Sequence, residues 1–261
     1  MLKKILILFI GILFLCTSCG KNVEEDSSKG LQTILGRGYV VVGVKTDSYP
    51  FGFKDRNGNF AGFDIELSKL IAKGILGDKN KVKFVQVTSS DRIMKLYSEE
   101  VDMLVATMSV TSKRKELLDF STSYHTAGQS ILVKHNSNIN GLRDLNGKRV
   151  IIVLGSTSEK SLKSSIPQVQ IVGCKNYSEA YQKLKSGKAE AIVSDDTILL
   201  GMSLKDNSLR LISKKYTKEP YAVAFRKGVE SQDLLAKVNE IVDLETRNGT
   251  MKKLKNTFKI K

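Results

Sequence analysis

Short apolar runs alternate along this chain with stretches in which apolar residues recur every three or four positions. Runs with the length and composition of buried strands lie at residues 39–44, 82–87, 102–107, 129–133 and 149–153. After the first run, helical spacing is kept by Leu67, Leu70, Ile71 and Ile75. We expect Asp64 to cap that helix. Strands that alternate with helices are typical of α/β proteins with largely parallel sheets.

The second half of the chain repeats the pattern of the first half. Residues 98–107 and 186–195 each run from a helix end through a polar turn into an apolar strand that finishes on polar residues. Thr111 or Ser112 is expected to cap the helix that follows the first of these strands. Two such α/β lobes, each with polar side chains at the carboxyl ends of its strands, predict a ligand site in the cleft between them.

The first nineteen residues have a different character from the rest of the chain. Lys3 and Lys4 precede an uninterrupted apolar run, Ile5 to Leu15. This run is too short to span a bilayer stably, and its layout is that of an export signal. We therefore interpret residues 1–19 as a signal peptide and expect the protein to act outside the cytoplasm.

Cys19 directly follows the export signal. The ending Thr17-Ser18-Cys19 resembles the processing motif of bacterial lipoproteins, although Cys16 stands where that motif usually has leucine. The resemblance implies that Cys19 carries acyl chains such as palmitate, which would anchor the protein durably to the outer face of the cell membrane. Cleavage by the general signal peptidase and release is the alternative. Residues 20–30 are polar and predict a flexible tether.

Composition and charge narrow the classes of function. The chain is 41% hydrophobic and 26% charged, which is an ordinary globular balance, and its formal net charge is +15. The lysines are scattered and the chain has no Trp, so we expect a solvated basic surface and no nucleic-acid partner. Cys174 would be the one thiol of the folded body, which predicts no internal disulfide and a buried cysteine.

Several kinds of catalytic or metal site are missing from the sequence. His125 and His135 are ten positions apart and have no cysteine or carboxylate at metal-ligand spacing, so we predict no metal and no cofactor. The segment Gly141 to Lys148 only superficially resembles a phosphate-binding loop, because Arg149 stands where such a loop needs Ser or Thr. These features favour a binding protein over an enzyme.

Polar residues at the predicted strand ends match the needs of a free amino acid. A carboxylate is best bound by a guanidinium, an ammonium by a buried carboxylate, and carbon atoms by an aromatic wall. The candidate ligand-binding residues are Thr107, Ser109 and Arg114 in the first lobe, Ser156, Thr157 and Asp195 in the second, and Tyr49 and Phe51 around Pro50. Each has a simpler explanation on its own, such as a solvated helix start for Arg114, a helix cap for Asp195 and a core position for Phe51. Their recurrence at strand ends in both lobes favours a binding site.

Several motifs, in order, resemble the bacterial extracellular solute-binding proteins of family 3, the receptors of ABC importers for polar amino acids. The matching motifs are Gly62 to Leu67, Ala106 to Arg114, Asp119 to Ser121, Gly155 to Ser158 and Glu219 to Tyr221. The resemblance covers the chain from Leu31 onward. It implies the type II periplasmic-binding-protein fold, in which two α/β lobes are joined by two hinge strands and close on a ligand.

The resemblance also implies a domain division and a role for each site residue. Lobe 1 would comprise residues 31–124 and 222–261, lobe 2 residues 125–221, and the crossings would lie near 124–128 and 219–223. Arg114 would bind the α-carboxylate with help from Thr107, Ser109 and Thr157. Asp195 would bind the α-ammonium, and Tyr49 or Phe51 would contact the aliphatic part of the ligand.

Two further basic residues concern the side chain of the ligand. Lys45 ends the first strand and Arg92 opens a short helix, so they would form a second basic cluster beside Arg114. Such a cluster suits a ligand with a second acidic or carbonyl group, and the surrounding residues resemble the glutamate, aspartate and glutamine branch of the family. An ion pair of Arg92 with Asp91 or Glu99 at the surface is the alternative.

The function expected from the sequence is therefore substrate binding for an ABC importer of polar amino acids. We expect a monomer that binds glutamate, aspartate or glutamine and docks on permease subunits. The alternatives are an enzyme on the same scaffold, similar to cyclohexadienyl dehydratases, and an amino-acid-sensing module.

Overall fold

The structure is a computed structural model that describes residues 30–260. The predicted signal peptide, Cys19 and the predicted tether up to residue 29 lie outside the described residues.

The described chain forms an alternating series of helices and strands. The α-helices are α1 (Gly30–Arg37), α2 (Phe63–Leu76), α3 (Arg92–Tyr97), α4 (Ser112–Lys115), α5 (Ser158–Ser165), α6 (Tyr177–Lys185), α7 (Asp196–Ser203), α8 (Gln232–Arg247) and α9 (Thr250–Thr257). The strands are β1 (Val40–Val44), β2 (Asp47–Ser48), β3 (Gly52–Lys54), β4 (Phe60–Ala61), β5 (Val82–Gln86), β6 (Met103–Leu104), β7 (Leu118–Phe120), β8 (His125–Ala127), β9 (Gln129–Lys134), β10 (Arg149–Val153), β11 (Gln170–Cys174), β12 (Ala191–Asp195), β13 (Leu209–Ile212), β14 (Glu219–Tyr221) and β15 (Ala224–Arg226).

The first large sheet combines strands from the early and the late part of the chain. Its strand order is β5-β1-β6-β15-β7, with β1 parallel to both β5 and β6, and β15 antiparallel to both β6 and β7. One face packs on α2 and α8 through buried residues such as Val42, Ile71 and Val238. The other face is covered by a smaller cluster that includes Leu96 and Leu104. Apolar layers on both faces explain why β1 is almost entirely apolar.

The second large sheet comes from the middle of the chain. Its order is β11-β10-β12-β9-β13, with β10 parallel to β11 and β12, and β9 antiparallel to β12 and β13. Ile151 and Ile192 face a cluster that contains Tyr177 of α6, while Ile152 and Val193 face the opposite cluster. Each sheet therefore has its own core. The predicted strands at 129–133 and 149–153 are confirmed to within one residue.

Two short strands run between the large sheets. β8 and β14 pair antiparallel, with Tyr221 opposite His125, and both lie within the ranges predicted for the crossings. Tyr124 and Tyr221 are buried in the core of the first sheet. Burial also lowers the pKa of His125 to about 4, so its imidazole is uncharged at neutral pH.

The expectation that Asp64 caps α2 is wrong. Gly62 holds the N-cap position with φ of 118°, and a Cβ there would overlap the backbone oxygen of Phe51. Only glycine tolerates both conditions, so the chain turns into the helix two residues earlier than expected. Asp64 instead lies fully buried in the first turn and accepts a hydrogen bond from the backbone amide of Thr107, at 3.1 Å.

Other local predictions are confirmed, and one predicted strand is shorter than expected. Thr111 caps α4, since its Oγ1 accepts a hydrogen bond from the amide of Arg114. The strand predicted at 102–107 is regular only at β6, because Thr107 has φ of 46°, outside the extended region. Cys174 is buried and unpaired, as expected. The C-terminal helices pack back on the first sheet, where α8 contacts α1 and α2.

Candidate ligand-binding site

A small cavity lies where the carboxyl ends of strands from both large sheets meet. Its free volume is only about 10 Å³, far below the roughly 300–1,000 Å³ of pockets for drug-sized ligands. The cavity is lined by Ser89, Arg92, Thr107, Ser109, Arg114, Ser156, Thr157, Tyr177 and Asp195. Seven of these are among the ten residues predicted to bind ligand, and they converge although the chain separates them by up to a hundred positions. A larger depression of about 500 Å³ near Asp119 and Pro220 is open to solvent and has no comparable set of converging charges.

Arg114 reaches the cavity from the short helix α4. One guanidinium nitrogen donates to the carbonyl of Ser109 at 2.8 Å, and Nη2 donates to the carbonyl of Gly155 at 3.1 Å. The second bond links the loop after β6 to the loop after β10, so Arg114 joins the two lobes directly. Burial lowers the pKa of Arg114, which Asp195 partly offsets.

Arg92 lies deeper in the same wall. Its side chain is buried, and Nη1 donates to the carbonyls of Ala106, at 2.7 Å, and Thr107, at 3.5 Å. Its Nε–H has no hydrogen-bond partner within the described residues. Burial and the charge of Arg114 lower the pKa of Arg92 to about 9, so the guanidinium stays charged at neutral pH. A buried donor without a partner costs free energy, and an acceptor on a ligand would remove that cost.

Asp195 ends β12 and supplies the acidic group of the cavity. Its carboxylate accepts hydrogen bonds from the Tyr221 hydroxyl and from Nε2 of Gln129. Asp195 holds the N-cap position of α7, as the simpler explanation expected, but its side chain makes no capping hydrogen bond to that helix. Burial raises the pKa of Asp195 to about 7, while the bond from Tyr221 opposes that rise. A cation beside this carboxylate would favour its charged form.

Hydroxyl groups complete the polar lining. Thr107 and Ser109 follow β6, and Ser156 and Thr157 follow β10. Thr157 Oγ1 accepts a hydrogen bond from Nε2 of Gln129, which also bonds Asp195. The residues predicted at the strand ends of both lobes thus surround one space.

Lys45 lies behind the cavity wall and does not line it. Its Nζ is 3.2 Å from Ser89 Oγ, 3.4 Å from a carboxylate oxygen of Asp47 and 4.2 Å from the centre of the Tyr177 ring. Burial lowers its pKa to about 8, although Asp47 opposes that shift. Lys45 and Arg92 thus lie near one another, as the predicted second basic cluster requires. The surface ion pairs considered for Arg92 are not formed, since Glu99 pairs instead with Arg226.

The structure does not bring Tyr49 or Phe51 to the cavity lining. Phe51 is fully buried between Phe63, His125 and Tyr221, where its ring completes the core of the first sheet. Tyr49 packs on Phe53 and receives the Lys205 ammonium over its ring, 4.3 Å from the centroid. The aromatic residue that lines the cavity is Tyr177.

Sequence reasoning missed Ser89 and Tyr177. Ser89 belongs to the turn before Arg92, and its position next to this predicted site residue could have indicated that it lines the cavity. Tyr177 opens α6 after the Asn176 cap and has no distinguishing pattern around it. Its hydroxyl lies 2.7 Å from Ser194 Oγ, so the ring is held from behind by the residue next to Asp195.

The two lobes touch at several points around the cavity, which indicates a closed cleft. Asp47 accepts a hydrogen bond from the amide of Tyr177 at 2.8 Å. Gly155, at φ of 78°, lies against the backbone of Ser89, and Gly201 of α7 lies against the backbone oxygen of Tyr49. A Cβ at either glycine would overlap those atoms.

The site is an enclosed cavity between two α/β lobes and carries charges of both signs. Comparison with known proteins identifies a family of solute-binding proteins. The family model of the bacterial extracellular solute-binding proteins, family 3, matches residues 40–260. The chain belongs to this family. The expected type II periplasmic-binding-protein fold is confirmed by solved relatives with the same architecture.

Relatives in this family cover nearly the whole chain. The ABC transporter glutamine-binding protein GlnH of Bacillus subtilis is 41% identical over 250 residues, 94% of this chain and 88% of the relative. A glutamine-binding protein of Geobacillus stearothermophilus is 39% identical over 88% of this chain and 92% of its own. The solved structure of an ancestral arginine-binding protein bound to glutamine has a TM-score of 0.80 and 39% identity, covering 86% of this chain and 99% of that one.

Two further findings concern metals and membranes. Within residues 30–260, His, Cys, Asp and Glu nowhere form a group that could hold a metal ion. Within the same residues, no helix is both long and apolar enough to cross a membrane.

Proposed function

We propose that this protein binds one polar amino acid with an amide or carboxylate side chain, with L-glutamine as the first candidate, and delivers it to an ABC importer. The observation that carries this proposal is the convergence of Arg114, Asp195 and Arg92 on one enclosed cavity. Two opposite charges suit the α-carboxylate and α-ammonium of a zwitterion. The free Nε–H of Arg92 suits an acceptor oxygen at the end of the ligand side chain.

The roles of the residues follow from their positions. Arg114 binds the α-carboxylate, which also accepts hydrogen bonds from the hydroxyls of Thr107, Ser109 and Thr157. Ser156, next to Thr157 in the loop after β10, adds a fourth hydroxyl. Asp195 binds the α-ammonium, since Gln129 and Tyr221 hold its carboxylate at the cavity. Three charge-assisted hydrogen bonds at ~1.5–3 kcal/mol each are sufficient for micromolar binding, about −8 kcal/mol.

The ligand side chain extends toward Arg92 and Lys45. Arg92 lines the cavity, and Lys45 contributes charge from behind Ser89 and Tyr177. Ligands with cationic side chains are disfavoured there, because like charges repel strongly in a cleft that excludes water. Tyr177 takes the place that the sequence assigned to Tyr49 or Phe51, as the aromatic wall for the aliphatic carbons. The two glutamine-binding relatives make glutamine the first ligand to test.

Closure of the cleft is part of the proposed mechanism. We infer that residues 31–124 and 222–261 form one lobe and 125–221 the other, and that β8 and β14 act as the hinge. The ligand is buried by closure and leaves when the lobes reopen. The protein acts as a monomer that presents its closed form to permease subunits, and it does not transform the ligand.

We further propose that Cys19 carries the lipid anchor. The support is the sequence alone, because the small-small-cysteine ending directly follows the apolar run. Metabolic labelling with a palmitate analogue tests this proposal, with Cys19→Ser as the control. Label that persists in the variant would contradict it.

A binding screen tests the main proposal. In a thermal-shift assay over the twenty amino acids, ligand at a hundred times its Kd adds ~2.7 kcal/mol of stability. We expect glutamine to raise Tm, followed by glutamate and aspartate, with lysine and arginine inactive. Calorimetry then gives a stoichiometry of one. A protein that responds to none of the twenty, or that converts prephenate to phenylpyruvate, would overturn the proposal.

A further inference from the structure

Asp64 is a fully buried carboxylate that the proposed binding mechanism does not use. It lies in the first turn of α2 and is 0% exposed. Two donors hold it: the backbone amide of Thr107, at 3.1 Å from Oδ2, and the Tyr124 hydroxyl, at 3.1 Å from Oδ1. Neither donor carries a charge. A buried carboxylate without a charged hydrogen-bond partner is costly, so its retention needs an explanation.

The backbone that Asp64 holds is also held by Arg92. Asp64 accepts from the amide of Thr107, while Arg92 donates to the carbonyls of Ala106 and Thr107. The Asp64 carboxylate and the Arg92 guanidinium therefore hold the same peptide unit, the one between Ala106 and Thr107. This unit lies where the chain runs from β6 to the cavity. Thr107 has φ of 46° there, a conformation that residues other than glycine rarely adopt.

Asp64 is also coupled electrostatically to the basic cluster that faces the ligand side chain. Burial raises its pKa to about 7, and the bonds from Thr107 and Tyr124 and the charges of Lys45 and Arg92 oppose that rise. Its negative charge thus acts on the two cations that would meet the end of the ligand. A ligand carboxylate at that place would be repelled by Asp64, whereas a neutral amide would not.

We propose that Asp64 is a positioning residue that holds Thr107 and Arg92 for ligand and sets the preference of the cavity between an uncharged and an anionic ligand side chain. This inference rests on the amino-acid-binding function proposed above. The physical reason is that the negative charge of Asp64 partly neutralises the basic cluster of Lys45 and Arg92. Without its charge, the preference of the cavity shifts from glutamine toward glutamate.

Calorimetry with glutamine and glutamate at pH 7.5 tests the inference. We expect Asp64→Asn to shift the ratio of the two affinities toward glutamate by about threefold. Because the pKa of Asp64 is about 7, its carboxylate can take up a proton when glutamate binds, which limits the effect of its charge at pH 7.5 to about fourfold. The double variant Asp64→Asn with Lys45→Met removes one charge of each sign. It should return the ratio to that of the natural protein, which a purely structural role would not do.

Asp102→Asn is the matched control. Asp102 also holds a backbone amide, that of Val41, at 2.7 Å, and pairs with Arg37, but it lies at the opposite end of β1 from Lys45. The Asp102→Asn variant should lower the stability of the protein without changing the ratio of the affinities for glutamate and glutamine.

The outcomes separate this inference from the proposed function. A natural protein that binds neither amino acid overturns both. Binding by the natural protein, together with an unchanged ratio in Asp64→Asn, overturns only the role of Asp64. Should the single variant fail to fold, the double variant is compared with Lys45→Met alone. A ratio that the Asp64 change shifts toward glutamate supports the inference, and an equal ratio in the two variants contradicts it.

Discussion

Asp47, the first residue of β2, accepts a hydrogen bond from the backbone amide of Tyr177, the first residue of α6. The bond joins the two lobes beside the cavity without touching the ligand space itself. A carboxylate at a helix N-terminus is favoured by the helix dipole as well as by the hydrogen bond. The same carboxylate pairs with Lys45, so closure and the basic cluster share one residue.

Asp47→Ala should weaken the binding of every ligand, and of glutamate less than of glutamine, because loss of the Asp47 charge also leaves Lys45 unpaired. The lost interaction belongs to the closed form, and a charge-assisted hydrogen bond contributes ~1.5–3 kcal/mol, so we expect a tenfold or larger loss of affinity. Stopped-flow measurements should find most of it in a faster dissociation rate. Asp78→Ala, in an exposed loop, is the control. An unchanged dissociation rate in Asp47→Ala would show that this contact does not stabilise the closed form.

Gly201→Ala should separate stability from binding. Alanine favours a helix interior by ~0.5–1 kcal/mol over glycine, so the open, ligand-free protein should be at least as stable as before. In the closed form the new Cβ would overlap the backbone oxygen of Tyr49, so affinity should fall steeply.

The measurements for this variant are Tm without ligand and Kd by calorimetry. Gly36→Ala in α1 is the matched control, because nothing lies within 4 Å of its added Cβ. Full affinity in Gly201→Ala would mean that the lobes close by a different path.

Arg114→Ala should abolish measurable binding of every amino acid. The variant removes the partner of the α-carboxylate, which all candidate ligands share, and it breaks the bond to Gly155 across the cleft. Removal of one partner of a buried charge pair costs ~3–5 kcal/mol, or more than a hundredfold in affinity. Lys113→Ala, the exposed neighbour, should bind normally. Selective loss of one amino acid only would place Arg114 at the ligand side chain instead.

Arg92→Ala should weaken glutamate more than glutamine. Both ligands lose the Nε–H donor, but only glutamate also loses a favourable interaction between opposite charges. Parallel titrations with the two ligands give the comparison. Arg226→Ala, which removes a surface ion pair with Glu99, serves as control. Equal losses for the two ligands would show that Arg92 does not contact the side chain.

Binding should weaken as the pH falls from 8 to 6. Burial raises the pKa of Asp195 to about 7 in the ligand-free protein. A ligand ammonium would lower that pKa, so binding favours the deprotonated carboxylate and loses affinity as the pH drops through about 7. Kd values by calorimetry should rise for glutamine and rise less for glutamate, because Asp64, whose pKa is also about 7, loses over the same range the charge that repels a ligand carboxylate. A Kd that is constant over this range would show that Asp195 does not face the ammonium.

The local pattern of the sequence was sufficient for the elements and for much of the site. Apolar runs predicted β1, β9 and β10 to within one residue, because a strand buried on both faces needs apolar side chains throughout. Polar residues directly after strands predicted Thr107, Arg114 and Asp195, since the carboxyl ends of parallel strands meet at one edge of a sheet.

The tertiary structure alone decided which aromatic residue reaches the cavity and what Asp64 does. Phe51 and Tyr177 are both buried aromatic residues next to polar segments, and their sequence context does not distinguish them. Packing against Phe63 and Tyr221 places Phe51 in the core, whereas the contact between lobes places Tyr177 at the cavity. Asp64 has the spacing of a helix cap, yet its partner is Thr107, forty-three positions away. Contacts between distant residues depend on how the lobes pack and close. The local periodicity of the sequence does not predict this packing.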